Sequence, residues 1–352
     1  MRYLIDNQYY SKDELLMFCL KIKQGNQADW QKAIYAFIED YLSDSLYITV
    51  QTSGTTGTPK QMNLFKSKMK ISANKTAVYF KFEAGQKVLL ALPATYIAAK
   101  MMIVRALEHG LNLICVEPKI SFLANLNDNI YFCPLVPMQA HKAITNKASL
   151  KKIQNIKHVL LGGATVGKQL LNVIQKQPNK YYHSYGMTET ISHIALRTLN
   201  QPYSKYFTVL PGVSITKDSR NCLVVNAPKL CAKPIITNDI VEIKEERSFK
   251  WLGRFDTIIN SGGIKIIPEL VEAKIEHLIK QAFFIAGEHD EKLGEKVVLY
   301  IETNDPINKK ELLFQLEKEL PKYHAPKKIE LIAAFKRTAS GKIIKRNIAN
   351  VL

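Results

Sequence analysis

Residues Thr52-Ser53-Gly54-Thr55-Thr56-Gly57-Thr58-Pro59-Lys60 combine hydroxyl side chains, two glycines and a lysine in one unbroken run. Such a loop can aim backbone N–H and side-chain O–H groups at phosphate oxygens, and Lys60 adds positive charge. It is not a Walker A loop, because Gly54 is not followed five residues on by Gly-Lys-Ser/Thr. The composition would also suit a flexible connector. Its chemistry, if it has one, is the binding of a polyphosphate.

The chain has 352 residues and a formal charge of +18. After Asp256 there are 16 basic and 13 acidic residues, so +3 lies there and +15 in residues 1–256. This excess attracts anions such as phosphates, carboxylates or nucleic acid. No block of six like charges, zinc-finger spacing or basic–aromatic RNP-like run is present, so nucleic acid is not the expected partner. At 47% hydrophobic and 23% charged, the composition excludes wholesale disorder and collagen-like or coiled-coil chains. The start, MRYLIDNQYYSKDE, shows no apolar leader, and the most apolar stretch, Val88 to Val104, is interrupted by Pro93 and Lys100. No export or membrane span is expected. Cys19, Cys115, Cys133, Cys222 and Cys231 form no CxxC pair, which suits reduced thiols and a cytoplasmic location.

The elements that must position the loop follow from patterning. Ser11 to Glu14 is a capping box before an apolar run, and Asp29 to Tyr41 is a second helical pattern, so the chain is expected to open with helices. From Leu46, short β-branched runs alternate with longer amphipathic ones: Tyr47–Val50, Val88–Leu92, Leu113–Val116, Ile130–Cys133, His158–Leu161 and Tyr181–Tyr185. Strands spaced by helices imply an α/β sheet, much of it parallel. Between Tyr206 and Trp251 strands dominate and read as an antiparallel annex. Beyond Asp256 the order strand, helix, two strands, helix, strand gives a compact α+β unit of about a hundred residues.

The loop TSGTTGTPK resembles the phosphate-binding loop of the adenylate-forming enzymes, the superfamily of acyl- and aryl-CoA ligases, luciferases and peptide-synthetase adenylation domains. Three further matches follow in the family's order. They are Tyr185-Gly186-Met187-Thr188-Glu189-Thr190, then Gly253-Arg254-Phe255-Asp256 with Ser261-Gly262-Gly263 and Pro268-Glu269, and Arg337-Thr338-Ala339-Ser340-Gly341-Lys342. The resemblance implies a large N-terminal α/β domain with a β-rich annex, residues 1–255, and a small mobile C-terminal α+β lid, residues 256–352. It also implies ATP, Mg²⁺ and CoA as reactants or cofactors.

In that chemistry a carboxylate attacks the α-phosphate of ATP, and a thiol then displaces AMP. Two anions must meet, so positive charge held ready at that point is where stabilisation is largest. By resemblance, Lys342 would bridge the acyl carboxylate and the α-phosphate, Thr188 would donate to that phosphate, and Glu189 would hold Mg²⁺. Thr52, Ser53, Gly54, Thr55, Thr56, Gly57 and Lys60 would cradle the phosphates. Gly162, Gly163 and Ala164, with Tyr185 and Gly186, match the adenine slot; Asp239 and Arg254 match the ribose contacts. Asp256 matches the hinge, and by resemblance Gly262 and Gly263 would border the CoA channel and Lys265 would lie near the phosphates of AMP or CoA.

The segment Leu92-Pro93-Ala94-Thr95-Tyr96 matches Leu-Pro-x-x-His, with Tyr96 in place of the gating histidine. Together with GMTETISH and SGGIKIIPELVE it most resembles the o-succinylbenzoate–CoA ligase branch, which implies a step of menaquinone synthesis. Such an acid has a second carboxylate that needs a cation, and Lys100 is the first candidate, with Arg105 the second. Ser192 is expected to line the pocket, and His193 is read as structural. Much of the family's front half is absent, which leaves the acyl pocket more open or closed by a second subunit in a homodimer. Asn238 stands where glycine usually precedes the aspartate. The alternatives are a ligase for another aryl or acyl acid and a truncated, non-catalytic nucleotide-binding homologue.

Overall fold

The computed structural model describes residues 2–51, 61–124, 126, 128–337 and 343–345. The chain forms two compact units, residues 1–214 with 226–235, and residues 215–225 with 236–352. The second grouping joins most of the antiparallel annex to the C-terminal residues.

In the first unit, the strands Tyr3–Ile5, Asn112–Cys115, Lys87–Leu90, Ile130–Leu135, Ile156–Leu161 and Lys180–Gly186 lie side by side in that order and run parallel. His193–Thr198 and Phe207–Val209 continue the sheet antiparallel. The parallel strands read as unbroken apolar runs because both faces are covered. Leu89, Cys133, Val159, Leu161 and Tyr181 are fully buried in one cluster with Ile153 and Ile174. The helices Lys66–Phe80 and Ile97–His109 pack together, and Asp29–Leu42 packs on the latter.

The chain does not open with helices. Before the helix Lys12–Gln24, Tyr3–Ile5 and Gln8–Tyr10 form a hairpin. Its turn residues Asp6 and Asn7 have φ of 48° and 65°, the left-handed pair that a two-residue turn requires. Asp6 Oδ1 accepts from Cys115 N–H at 2.8 Å, and Asn7 and Asn112 bond to each other, which fixes the hairpin to the sheet edge. The helix beyond keeps the expected cap, with Ser11 and Glu14 bonded reciprocally. Tyr47–Gln51 pairs with Gln61–Phe65 in a separate two-stranded ribbon.

In the second unit, Ile235–Glu245 pairs antiparallel with Ser248–Arg254. Beyond it, Ile259–Ser261, Ile264–Ile266, Phe283–Asp290, Gly294–Glu302 and Lys328–Ile332 form a mixed sheet. The helices Pro268–Ile275 and Lys309–Glu319 cover it, burying Val271, Ile275 and Leu316 against Ile285, Val297 and Leu299.

Candidate active site

Ligands of open parallel sheets bind beyond the carboxyl ends of the strands, and there the first unit places Gly162, Gly163, Ala164, Tyr185 and Gly186. Leu161 is paired with His183, so the residues after them are neighbours. Gly162 donates its N–H to Leu135 O at 3.1 Å. A Cβ on Gly162 would stand 2.8 Å from Ser184 Oγ, and Gly163 has φ of +79°, so this slot needs its glycines. Ala164 O lies 3.1 Å from His183 Nε2, whose ring Nδ1 receives Arg197 at 3.3 Å from Nε and 3.1 Å from Nη2. A guanidinium only donates, so Nδ1 accepts and Nε2 carries the proton that Ala164 O receives. Burial, and then the Arg197 charge, pushes the His183 pKa down to about 3. The ring therefore stays a neutral relay between Arg197 and the slot. Arg197 also stacks 4.9 Å over Phe207, whose ring lies 5.9 Å from Tyr185.

The strand Lys180–Gly186 runs into a tight turn. A Cβ on Gly186 would meet Ser192 O at 2.4 Å and His193 Cα at 2.5 Å, so glycine alone permits this approach. Thr190, fully buried, ties the turn together: its Oγ1 accepts from Met187 N–H at 3.0 Å and lies 2.8 Å from Ser192 O. Ile191 has φ of +69°, a costly state for a β-branched residue and one found at functional turns. Thr188 is left half-buried and Glu189 exposed, with Glu189 O accepting from Cys231 Sγ at 3.2 Å. Among the described residues no group of three His, Cys, Asp or Glu could hold a metal. One exposed carboxylate fits Mg²⁺, which keeps waters and uses phosphate oxygens for its remaining positions.

Tyr96 stands at the N-cap of Ile97–His109. Lys100 Nζ lies 5.4 Å over the ring of Phe37, and burial lowers its pKa against the raising effect of Asp40. Arg105, 3% exposed, donates from Nη2 to Ser192 Oγ at 2.8 Å. Its buried Nε has no hydrogen-bond partner among the described residues, and no described carboxylate pairs with the group. Burial lowers its pKa, yet a guanidinium remains charged at neutral pH. His193 beside it is held well below its ordinary pKa by burial and then by Arg105, with Nε2 3.1 Å from Thr76 Oγ1.

In the second unit, Asp239 and Arg254 face each other across the strand pair. Trp251 Nε1 donates to Asp239 Oδ1 at 3.0 Å, and Arg254 Nη1 lies 3.7 Å from the same oxygen. Arg254 also forks onto Asp256, Nε to Oδ1 at 2.9 Å and Nη2 to Oδ2 at 3.1 Å. Asn238, where glycine is usual, accepts from Arg220 Nη1 at 3.0 Å. Gly262 and Gly263, with φ of +58° and +82°, make the turn after Ser261, and Lys265 is exposed. Ser261 also lines a cavity of about 80 Å³ with Leu293, Lys322, Tyr323 and Lys327.

Thr52, Ser53, Gly54, Thr55, Thr56, Gly57 and Lys60, expected to bind phosphates, and also Lys342, lie outside the described residues. Sequence reasoning missed His183, Arg197, Thr190 and Trp251. Only Thr190, within YGMTET, carried any signal; the others act through contacts that spacing does not reveal.

A glycine slot beside a tyrosine at parallel strand ends, followed by a turn that carries Thr188 and Glu189, is the arrangement that the resemblance to adenylate-forming enzymes implies. Two family models agree with this: that of AMP-binding enzymes matches residues 11–220, and that of their C-terminal domain matches residues 276–342. The chain belongs to the AMP-binding enzyme family. Among curated relatives it is 22% identical to a 2-succinylbenzoate–CoA ligase of Oceanobacillus iheyensis, over 98% of this chain and 78% of that one. It is 25% identical to a probable 2-succinylbenzoate–CoA ligase of Mycobacterium tuberculosis, over 87% and 84%. A solved acyl-CoA synthetase (AMP-forming)/AMP-acid ligase II-like protein from Dyadobacter fermentans is 36% identical, covering 94% of this chain and 96% of that one, with a TM-score of 0.64. The O-succinylbenzoate coenzyme A synthetase of Bacillus subtilis, solved with ATP and magnesium ion, shares the fold at a TM-score of 0.75 and 20% identity, over 96% and 82%.

Proposed function

We propose that this chain is an AMP-forming acid–CoA ligase that converts o-succinylbenzoate to its CoA thioester, a step of menaquinone synthesis. The observation that carries the acid's identity is Arg105, a buried guanidinium bonded to Ser192 whose Nε has no hydrogen-bond partner among the described residues. Leaving a buried charge without its counter-charge costs several kcal/mol in general, roughly 3–5 when a partner is removed. A second substrate carboxylate would supply that counter-charge. Lys100, the first candidate from sequence, is directed over Phe37 instead, so the role passes to Arg105, with Tyr96 and Ser192 lining the same pocket.

In this reading the loop 52–60 binds the phosphates, and Gly162 to Ala164 with Tyr185 and Gly186 receive adenine. Asp239, oriented by Trp251, and Arg254 take the ribose. Glu189 is the residue that would hold Mg²⁺, which offsets the phosphate charge when bound. Thr188 donates to the α-phosphate and Lys342 draws the acid carboxylate onto it, so that the carboxylate oxygen bonds to phosphorus as pyrophosphate leaves. Asp256 serves as the hinge before CoA enters. The CoA thiolate then attacks the acyl carbon and AMP leaves. Gly262 and Gly263 border the channel. Five free cysteines suit a reducing cytoplasm, and no described helix is long and apolar enough to cross a membrane.

The test is acid-dependent pyrophosphate release across a panel of carboxylic acids, with and without CoA. The reading requires o-succinylbenzoate to exceed its analogue lacking the second carboxylate. Equal rates for the two would sink the acid assignment, and no release with any acid would sink the reaction.

A further inference from the structure

Glu302, which lies outside the family motifs, and Glu272, the last residue of SGGIKIIPELVE, hold the residues that flank 338–342. Glu302 closes the strand Gly294–Glu302 and receives Arg337 as a fork, Nη1 to Oε1 at 2.6 Å and Nη2 to Oε2 at 2.5 Å. Phe335 N–H adds a bond to Oε1 at 2.6 Å. Arg337 forms an antiparallel bridge with Ile343, and Ile344 N–H reaches Lys336 O at 2.9 Å. Ile343 packs on the buried cluster of Phe284, Val298, Tyr300 and Phe335. Lys345 then donates to Glu272 Oε1 at 2.8 Å, and the same oxygen accepts Ile285 N–H at 2.8 Å. One carboxylate thus joins the tail, the helix Pro268–Ile275 and the strand Phe283–Asp290.

We propose that Glu302 and Glu272 are positioning residues for adenylation: by pinning Arg337 and Lys345 they fix both chain attachments of the stretch 338–342. The inference rests on the role proposed above for Lys342. Lys342 is the chain neighbour of Ile343, which the bridge and the apolar cluster hold in place. Holding Arg337 and Ile343 in place meets part of the loop-closure cost in advance, which favours a cation carried between them when it must meet two anions. A forked guanidinium–carboxylate pair is among the stronger polar ties, and it is directional. Arg337 draws the Glu302 carboxyl below its ordinary range and is itself raised, so the pair stays charged throughout the neutral range.

The two half-reactions separate positioning from stability. Adenylation is read in the full chain as acid-dependent pyrophosphate release, and the second half as thioester formation from supplied acyl-adenylate and CoA. Glu302→Gln and Glu272→Gln should each lower the adenylation kcat about tenfold, leave the KM for ATP within about twofold, and leave thioester formation within about twofold. Glu302→Asp, which keeps the charge, should recover part of the loss. Arg337→Lys, which keeps charge and loses the fork, carries the same comparison if Glu302→Gln does not fold. Equal loss in both halves, or loss in neither beside an active wild type, overturns this inference alone. A wild type without pyrophosphate release, or Lys342→Ala as active as wild type, overturns the functional reading and this inference with it.

Discussion

Arg105 donates from Nη2 to the Ser192 hydroxyl at 2.8 Å, joining the helix Ile97–His109 to the turn that carries Thr188 and Glu189. The cation is thereby tied to the residues proposed to act on the α-phosphate. Ser192 is neutral, so the positive charge stays available to an anion.

Arg105→Met tests that availability. A hydrogen bond to a charged group contributes about 1.5–3 kcal/mol, so the KM for o-succinylbenzoate should rise roughly 10- to 100-fold. The KM for the analogue lacking the remote carboxylate should barely move. Replacing a buried charge by an apolar side chain of similar volume is often neutral or stabilising, so Tm should not fall. Equal loss for both acids would assign Arg105 a structural role.

Lys342→Ala should lower adenylation on the order of 10²–10³-fold, the usual loss when a preorganised charge stabiliser is removed. Thioester formation from supplied acyl-adenylate should survive much better. Stopped-flow measurement of each half would decide, and parallel losses would argue against the assigned role.

Trp251→Phe removes the indole donor from Asp239 Oδ1, a 3.0 Å bond to a buried carboxylate. With one of its ties to the proposed ribose acceptor gone, the chain should show a KM for ATP about tenfold higher while kcat changes little. A fall in kcat at constant KM would contradict an orienting role.

Acid should weaken the fold through its buried histidines. His183 has a folded-state pKa of about 3, and His193 lies well below 6.5. Unfolded histidine takes up its proton near pH 6.5, so below that pH the unfolded chain binds more protons than the native one. The stabilisation is present above pH 6.5 and declines as pH falls, by at most about 1.4 kcal/mol per unit for each histidine. Urea unfolding between pH 7 and 5 should show this slope, and His183→Gln should reduce it. An unchanged slope in the variant would show that His183 is not its source.

The alternation of apolar runs with amphipathic ones marked the parallel strands, because burial on both faces demands continuous Val, Ile and Leu. The Ser11 cap and the glycines of YGMTET and SGG were legible for a similar reason: each answers a local backbone requirement. The opening hairpin was not legible. Its strands are three residues each and owe their stability to Asp6 and Asn7 reaching Cys115 and Asn112, far away in the chain.

The order and chemistry of the motifs, and with them the enzyme family, are therefore contained in the sequence, since a phosphate loop or a Thr-Glu turn is built from adjacent residues. Which cation is buried beside Ser192 is not. Lys100 and Arg105 share one helix and similar chemistry, and burial on Phe37 or beside Ser192 distinguishes them. The same holds for Arg197 behind His183, Trp251 behind Asp239 and Glu302 behind Arg337. A side chain's charge state and direction depend on neighbours brought in by folding, and those neighbours lie on other elements.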